Sequence, residues 1–113
     1  MANTFKLKTK AAIDASLVTV YTVPTVEAAV IIGLTISNIK GSAVTADVQV
    51  VTASSSGENA DDVYIAKDIP LPTGSSVEIM AGNKIVMETG DIIKVKASVV
   101  DGVDALLSVM EIT

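Results

Sequence analysis

Glu58, Asp61, Asp62 and Asp68 bring four carboxylates into one short stretch, and clustered carboxylate oxygens are the ligands Ca²⁺ prefers. Their spacing departs from the D-x-[DN]-x-[DN]-G order of an EF-hand loop. The run around them, Ala53 to Asp61 (ASSSGENAD), is small and polar with nothing to bury, so the expectation is a solvated loop and no metal site. Asp101 and Asp104 flank Gly102 and read as turn formers, since an Asp side chain can hydrogen-bond turn backbone. Glycosidase chemistry would need two carboxyls across a cleft, one of them with a raised pKa, and usually aromatic walls. The chain offers one Phe, two Tyr and no Trp for such walls. Lys94 and Lys96 are candidate Schiff-base amines, but alternation puts both on the wet face of one strand, where an ordinary ammonium is expected.

The missing residue types exclude more than the present ones suggest. The 113 residues include no Cys, His, Trp or Arg, and all eight basic residues are lysines. Without Cys there are no disulfides, thiolate metal sites or thiol nucleophiles, and the redox compartment stays open. Without His the Ser-His-Asp triad and the usual zinc and iron sites are lost. A net charge of −5 with no Arg argues against a nucleic-acid partner, which would select a basic surface. No 18-residue apolar run is present to span a membrane as a helix. No apolar h-region directly follows Lys6, Lys8 and Lys10, so no signal peptide is expected. The reading is therefore no enzyme, no catalytic residue, no cofactor and no metal.

The elements that would position these side chains are strands. Val, Ile and Thr are frequent, and the hydrophobic period is two along most of the chain. Thr4 to Lys10 alternates Phe5 and Leu7 with three lysines, a strand with one wet face. Leu17 to Val23 is a second β-rich run. Val26 to Asn38 is a long strand with Ala28, Val30, Ile32, Leu34 and Ile36 on one face, and Gly33 marks a bulge or a close backbone approach. Val44 to Thr52 turns Val44, Ala46, Val48 and Val50 inward. Asp62 to Lys67 is a short strand, and Pro70 and Pro72 should keep Ile69 to Gly74 extended along an edge. Ser76 to Ala81, Lys84 to Glu88, Ile92 to Val100 and Ala105 to Ile112 complete the set, with Asp101-Gly102 as a hairpin signal between the last two. These runs predict an all-β fold: one antiparallel β-sandwich or jelly-roll-like domain over residues 1–113 with about eight or nine strands.

Two features point to protein partners. The Lys6-Lys8-Lys10 stripe would blunt an exposed sheet edge or attract an acidic partner, and the segment's apolar face, Phe5 and Leu7, needs something to cover it. Residues 1–10 are therefore an N-terminal arm or edge strand, with Phe5, Lys6, Leu7, Lys8 and Lys10 as candidate partner contacts. Two strands also carry hydrophobes on both sides, Ile92 with Ile93 and Leu106 with Leu107. A lone sandwich buries one face of each sheet, so the excess suggests subunit contacts in a homo-oligomer, a trimer or a ring.

With these residues in view, the chain resembles small virion structural proteins of tailed bacteriophages over nearly its full length. The resemblance is carried by TVYTVP (Thr19 to Pro24), IPLPTGSS (Ile69 to Ser76), GNKIV (Gly82 to Val86), TGDIIKV (Thr89 to Val95) and the ending SVMEIT (Ser108 to Thr113). It implies an acidic β-sandwich in the virion with no catalytic residue to transfer. It further implies contact with the major capsid protein or other virion proteins. A capsid decoration or cement protein is the first expectation, with Thr4 to Lys10 as anchor and the acidic loop outward. A tail, neck or baseplate accessory ring is the alternative. A carbohydrate-binding host-attachment module is a third, weakened because only Tyr21 and Tyr64 could stack on sugars and both are core candidates.

Overall fold

A computed structural model of the chain describes residues 2–53 and 61–113. Nine strands are present among them: β1 (Asn3–Ile13), β2 (Val18–Thr22), β3 (Ala28–Asn38), β4 (Val44–Val51), β5 (Val63–Leu71), β6 (Ser76–Glu78), β7 (Ile85–Met87), β8 (Ile92–Ala97) and β9 (Val103–Ile112). One sheet has the order β1-β9-β3-β6, with β7 also on β3; the other is β2-β8-β4-β5. Every pairing is antiparallel. The pairs β4·β5, β3·β6/β7, β2·β8 and β1·β9 nest inside one another, so the chain is one long antiparallel ribbon wrapped into two sheets. This is jelly-roll connectivity, with one ribbon position split into β6 and β7. The split arises because the chain leaves β3 after Glu78, tucks Met80 into the core and returns at Ile85.

The core lies between the sheets. Ala29, Ile31, Leu34, Ile36, Leu107 and Val109 come from the first sheet, and Tyr21, Val44, Ala46, Val48, Ile93 and Val95 from the second. Val44, Ala46, Val48 and Val50 are buried as their alternation requires. β5 is an edge strand, where the missing N–H of Pro70 can face solvent.

Three expectations are corrected. The Asp101-Gly102 dipeptide makes no hairpin: β8 and β9 lie in different sheets, and Gly102 turns the corner between them. A Cβ at Gly102 would stand 2.8 Å from that of Ala97 and 3.0 Å from the Val99 carbonyl oxygen, so close packing, with no need for a two-residue turn, selects glycine here. The face of β3 is also mixed. Ala29 and Ile31 point inward, a bulge at Ile32-Gly33 shifts the register, and Leu34 and Ile36 then point inward. Strict alternation over 11 residues cannot survive the extra residue. The third correction concerns β1. Its lysine face turns toward the sandwich, while Phe5 and Leu7 turn to solvent, 71% and 61% exposed.

Candidate functional site

Five acidic side chains of the described residues, Asp47, Asp62, Glu78, Asp91 and Asp104, accept backbone N–H groups. Glu78 takes the Leu34 N–H at 2.8 Å and the Met80 N–H at 3.0 Å, together with the Thr35 hydroxyl. It thereby satisfies the donor freed by the β3 bulge and packs against Gly33, where a Cβ would sit 3.3 Å from its carboxylate. Asp47 does the same for β5: its carboxylate accepts the Asp68 N–H at 2.7 Å and the Lys67 ammonium at 3.0 Å. Asp104 accepts the Ala12 N–H at 2.8 Å, beside the register shift in β1. Ala12 and Asp68 have positive φ, a conformation with a steric cost for non-glycine residues, and each has its N–H taken by one of these carboxylates.

The other candidates are scattered. Asp62 caps the Thr52 N–H, Asp101 stands at the β8–β9 corner with positive φ, and Glu58 lies outside the described residues. No group of three or more His, Cys, Asp or Glu that could hold a metal occurs among the described residues. Lys94 and Lys96 lie on the outer face of the second sheet, with Lys96 directly opposite Asp47. Asp47, Asp68, Lys96 and Ser98 border a polar depression of about 280 Å³. Tyr21 is buried, but Tyr64 is exposed, with the Lys67 ammonium 4.8 Å from its ring centroid; the core assignment holds for the first tyrosine and fails for the second.

The inward turn of β1 has a specific cause. Glu111, on the inward face of β9, is 3% exposed. It accepts the Tyr21 hydroxyl at 2.5 Å across the sandwich and the Lys6 ammonium at 2.8 Å. Lys8 follows two residues on, its ammonium 6.0 Å from the Tyr21 ring centroid. The Lys6 and Tyr21 hydrogen bonds hold the Glu111 carboxyl below its ordinary value of 4.5. Burial and then Glu111 itself raise the Tyr21 hydroxyl. A one-residue slip of β1 would bring Phe5 and Leu7 inside, but it would strand Glu111 in the interior without its cation. Inward lysines on an edge strand also deter edge-to-edge pairing.

With Lys6 and Lys8 turned toward the sandwich, the outer face of the first sheet becomes the distinctive surface. Phe5 pairs with Met110, Met110 with Val30, and Val30 with Val86, a single apolar row across four strands. Val86 is 68% exposed. Leu7, Leu106, Ile32 and Ile112 extend the row to either side, and Leu7, Leu106 and Ile32 are exposed large hydrophobics. Among the strand residues of this face only Asp104 and Glu78 are charged, both toward the Thr9 end. Of the predicted contact residues, the structure thus leaves Phe5 and Leu7 on an open face and draws Lys6 and Lys8 away from it, while Lys10 is exposed. Sequence reasoning misses Met110, Val30 and Val86. Their signal is the presence of hydrophobes on both sides of a strand, legible for Leu106 with Leu107 but hidden in β3 by the bulge.

No protein-family model matches this chain, and no curated protein matches it. In three dimensions it is similar to a chain in a solved structure described as "Bacillus endospore appendages form a novel family of disulfide-linked pili", with a TM-score of 0.52 over 99% of this chain and 87% of that one, at 12% sequence identity. At that identity the likeness establishes a shared fold.

Proposed function

We propose that this chain is a non-enzymatic structural subunit of a tailed-phage particle, foremost a capsid decoration protein that braces the shell by protein–protein contacts. One observation carries the reading: an ion pair from Lys6 to buried Glu111 holds Phe5 and Leu7 outward on a sheet face whose central row, Phe5–Met110–Val30–Val86, has no charge. Contiguous exposed apolar surface of this kind marks interaction sites. Carboxylates that could have served chemistry are engaged by backbone N–H groups. The phage-like segments of the sequence supply the particle, and jelly-roll connectivity is compatible with it without requiring it. The structural neighbour belongs to an assembling appendage, but this chain has no cysteine and would assemble without disulfides.

Quantitative mass spectrometry of purified virions, after separation of heads from tails, tests the proposal. Recovery with heads in copy number comparable to the major capsid protein is the expected result. A few copies travelling with tails would move the protein to a tail, neck or baseplate accessory. Absence from both fractions would overturn the structural role and reopen carbohydrate binding at the exposed Tyr64.

A further inference from the structure

We propose that the outer face of the β1 sheet is covered by a second copy of this chain, packed sheet on sheet about a two-fold axis that runs along the strands between β9 and β3. The proposal rests on reading this face as a protein-contact surface, and it names the occupant. It replaces the expected trimer or ring with a two-fold pair.

The first argument is shape. Across the central row the order is Phe5, Met110, Val30, Val86, two large side chains followed by two small ones. A two-fold axis parallel to the strands reverses this order in the facing copy, so Phe5 meets Val86 and Met110 meets Val30. Large against small is how facing layers interdigitate without voids. In the row beside it, Leu7 and Ser108 are followed by Gly33, so Ser108 faces Gly33 and the backbones there can approach closely. The same axis keeps the strands of the two sheets aligned, the common arrangement when sheets stack about 10 Å apart.

The second argument is charge. The chain carries a net charge of −5, so two copies repel unless they meet where charge is absent. The four-strand row is such a place, while Lys94, Lys96 and Asp47 lie on the opposite side of the sandwich. An isologous contact needs a patch complementary to itself, and an uncharged patch brings no like charges together.

The third argument is area. β1, β3 and β9 are 10 or 11 residues long, and the fourth position holds only β6 and β7, three residues each. At about 4.8 Å between strands and about 3.3 Å per residue they make a face about 14 Å wide and about 35 Å long with two short strands beside it. Its projection is on the order of 600 Å², and side-chain relief brings this near the ~800 Å² per partner buried in stable complexes. A two-fold pair therefore uses nearly the whole face, including the exposed Phe5, Leu7, Leu106 and Val86. At its Thr9 end the same axis sets Glu78 opposite Thr9 and Asp104 opposite Ser37, so no like charges meet.

Sedimentation equilibrium of the full chain with Phe5→Glu, Val86→Glu and the double variant Phe5→Glu/Val86→Lys provides the test. The unmodified chain is expected to be a dimer at micromolar concentration, and each single Glu variant should weaken it by about 100-fold or more, because an unpaired charge would be buried. In the double variant the carboxylate introduced at position 5 faces the ammonium introduced at position 86 of the other copy, so association should return in large part. If the facing were Phe5 on Phe5, the double variant would stay monomeric, and the proposed axis would be overturned. The thermal midpoint and circular dichroism of dilute protein identify any variant that fails to fold, and Leu7→Glu substitutes for one that does. A wild-type chain that stays monomeric at 100-fold higher concentration would overturn the second copy as occupant. Binding of that monomer to particles stripped of the protein, lost in Phe5→Glu, would keep the contact-surface reading; binding unaffected by Phe5→Glu would remove both.

Discussion

The two outer faces of the sandwich are built on the same plan with opposite chemistry. On the β1 sheet the row across four strands is Phe5–Met110–Val30–Val86. On the β8 sheet the corresponding row is Thr19–Lys94–Gln49–Tyr64, with Asp47 and Lys96 paired beside it. The second is what water ordinarily selects on the open face of an antiparallel sheet. The first is what a core face looks like, without a core to meet it. The contrast is sharpest at β1, where the sequence turns its charges toward the sandwich and its aromatic ring outside. That inversion is held by three side chains, Lys6, Glu111 and Tyr21, and it puts the exposed apolar row on one side of the molecule.

The carboxylates that accept backbone N–H groups at the bulges of β3 and β5 give the largest expected effects. Glu78→Ala leaves the Leu34 and Met80 N–H groups without an acceptor and should cost about 2–4 kcal/mol, since each partly buried donor left open costs about 1–3 kcal/mol. Asp47→Ala, its counterpart in the other sheet, strands the Asp68 N–H alone, because the exposed Lys67 ammonium can turn to water; about 1–3 kcal/mol is expected. Urea unfolding of both variants tests the order. A larger loss for Asp47→Ala would mean that the bulge on β5 matters more than that on β3.

Lys6→Met probes the inversion itself. It leaves buried Glu111 with Tyr21 as its hydrogen-bonding partner and should cost about 1–2 kcal/mol at neutral pH. Glu111 is held below 4.5 by its hydrogen bonds, with Lys6 first. Burial pushes Glu78 and Asp47 upward, but their backbone and side-chain hydrogen bonds outweigh it and leave both lowered. A carboxylate lowered in the folded state contributes stability that is complete above its unfolded value and disappears as pH falls through the folded one. The thermal midpoint should therefore be nearly flat from about pH 7 to 5 and fall steeply below about pH 4. The difference between wild type and Lys6→Met should close over the same acid range. A difference that persists at low pH would assign Lys6 a packing role instead.

The smallest effects on folding are expected at the solvent-facing side chains of the two outer rows, and there the comparison is most direct. Phe5→Ser, Val86→Ser and Lys94→Ser should each change monomer stability by about 0.5 kcal/mol or less, as exposed substitutions usually do. In a particle-binding or self-association assay the first two should lose binding and the third should not. Loss with Lys94→Ser alone would transfer the contact surface to the charged sheet.

Much of the fold is legible in the residues. The inward set Val44, Ala46, Val48 and Val50, the edge position of Pro70 and the strands of the C-terminal third follow from period-two alternation and turn chemistry. Gly33 signals its bulge, although not that the bulge exchanges the faces of β3. The hairpin signal at Asp101-Gly102 misleads because a tight turn looks the same locally whether the next strand pairs beside the last one or crosses to the other sheet. The apolar outer face is half legible: Phe5 and Leu7 stand out as residues in need of cover, but Met110, Val30 and Val86 come from distant strands and meet Phe5 only through register.

The amino-acid sequence by itself determined the β content, the positions of most strands and the absence of cysteine, histidine and arginine chemistry, because these depend on residue types and on neighbours a few positions apart. Only the tertiary structure decided which face of β1 turns inward. Alternation divides a strand into two faces but does not say which one meets the core. Turning lysines toward the sandwich is unfavourable until a buried carboxylate from the far end of the chain, Glu111, comes within 2.8 Å of Lys6.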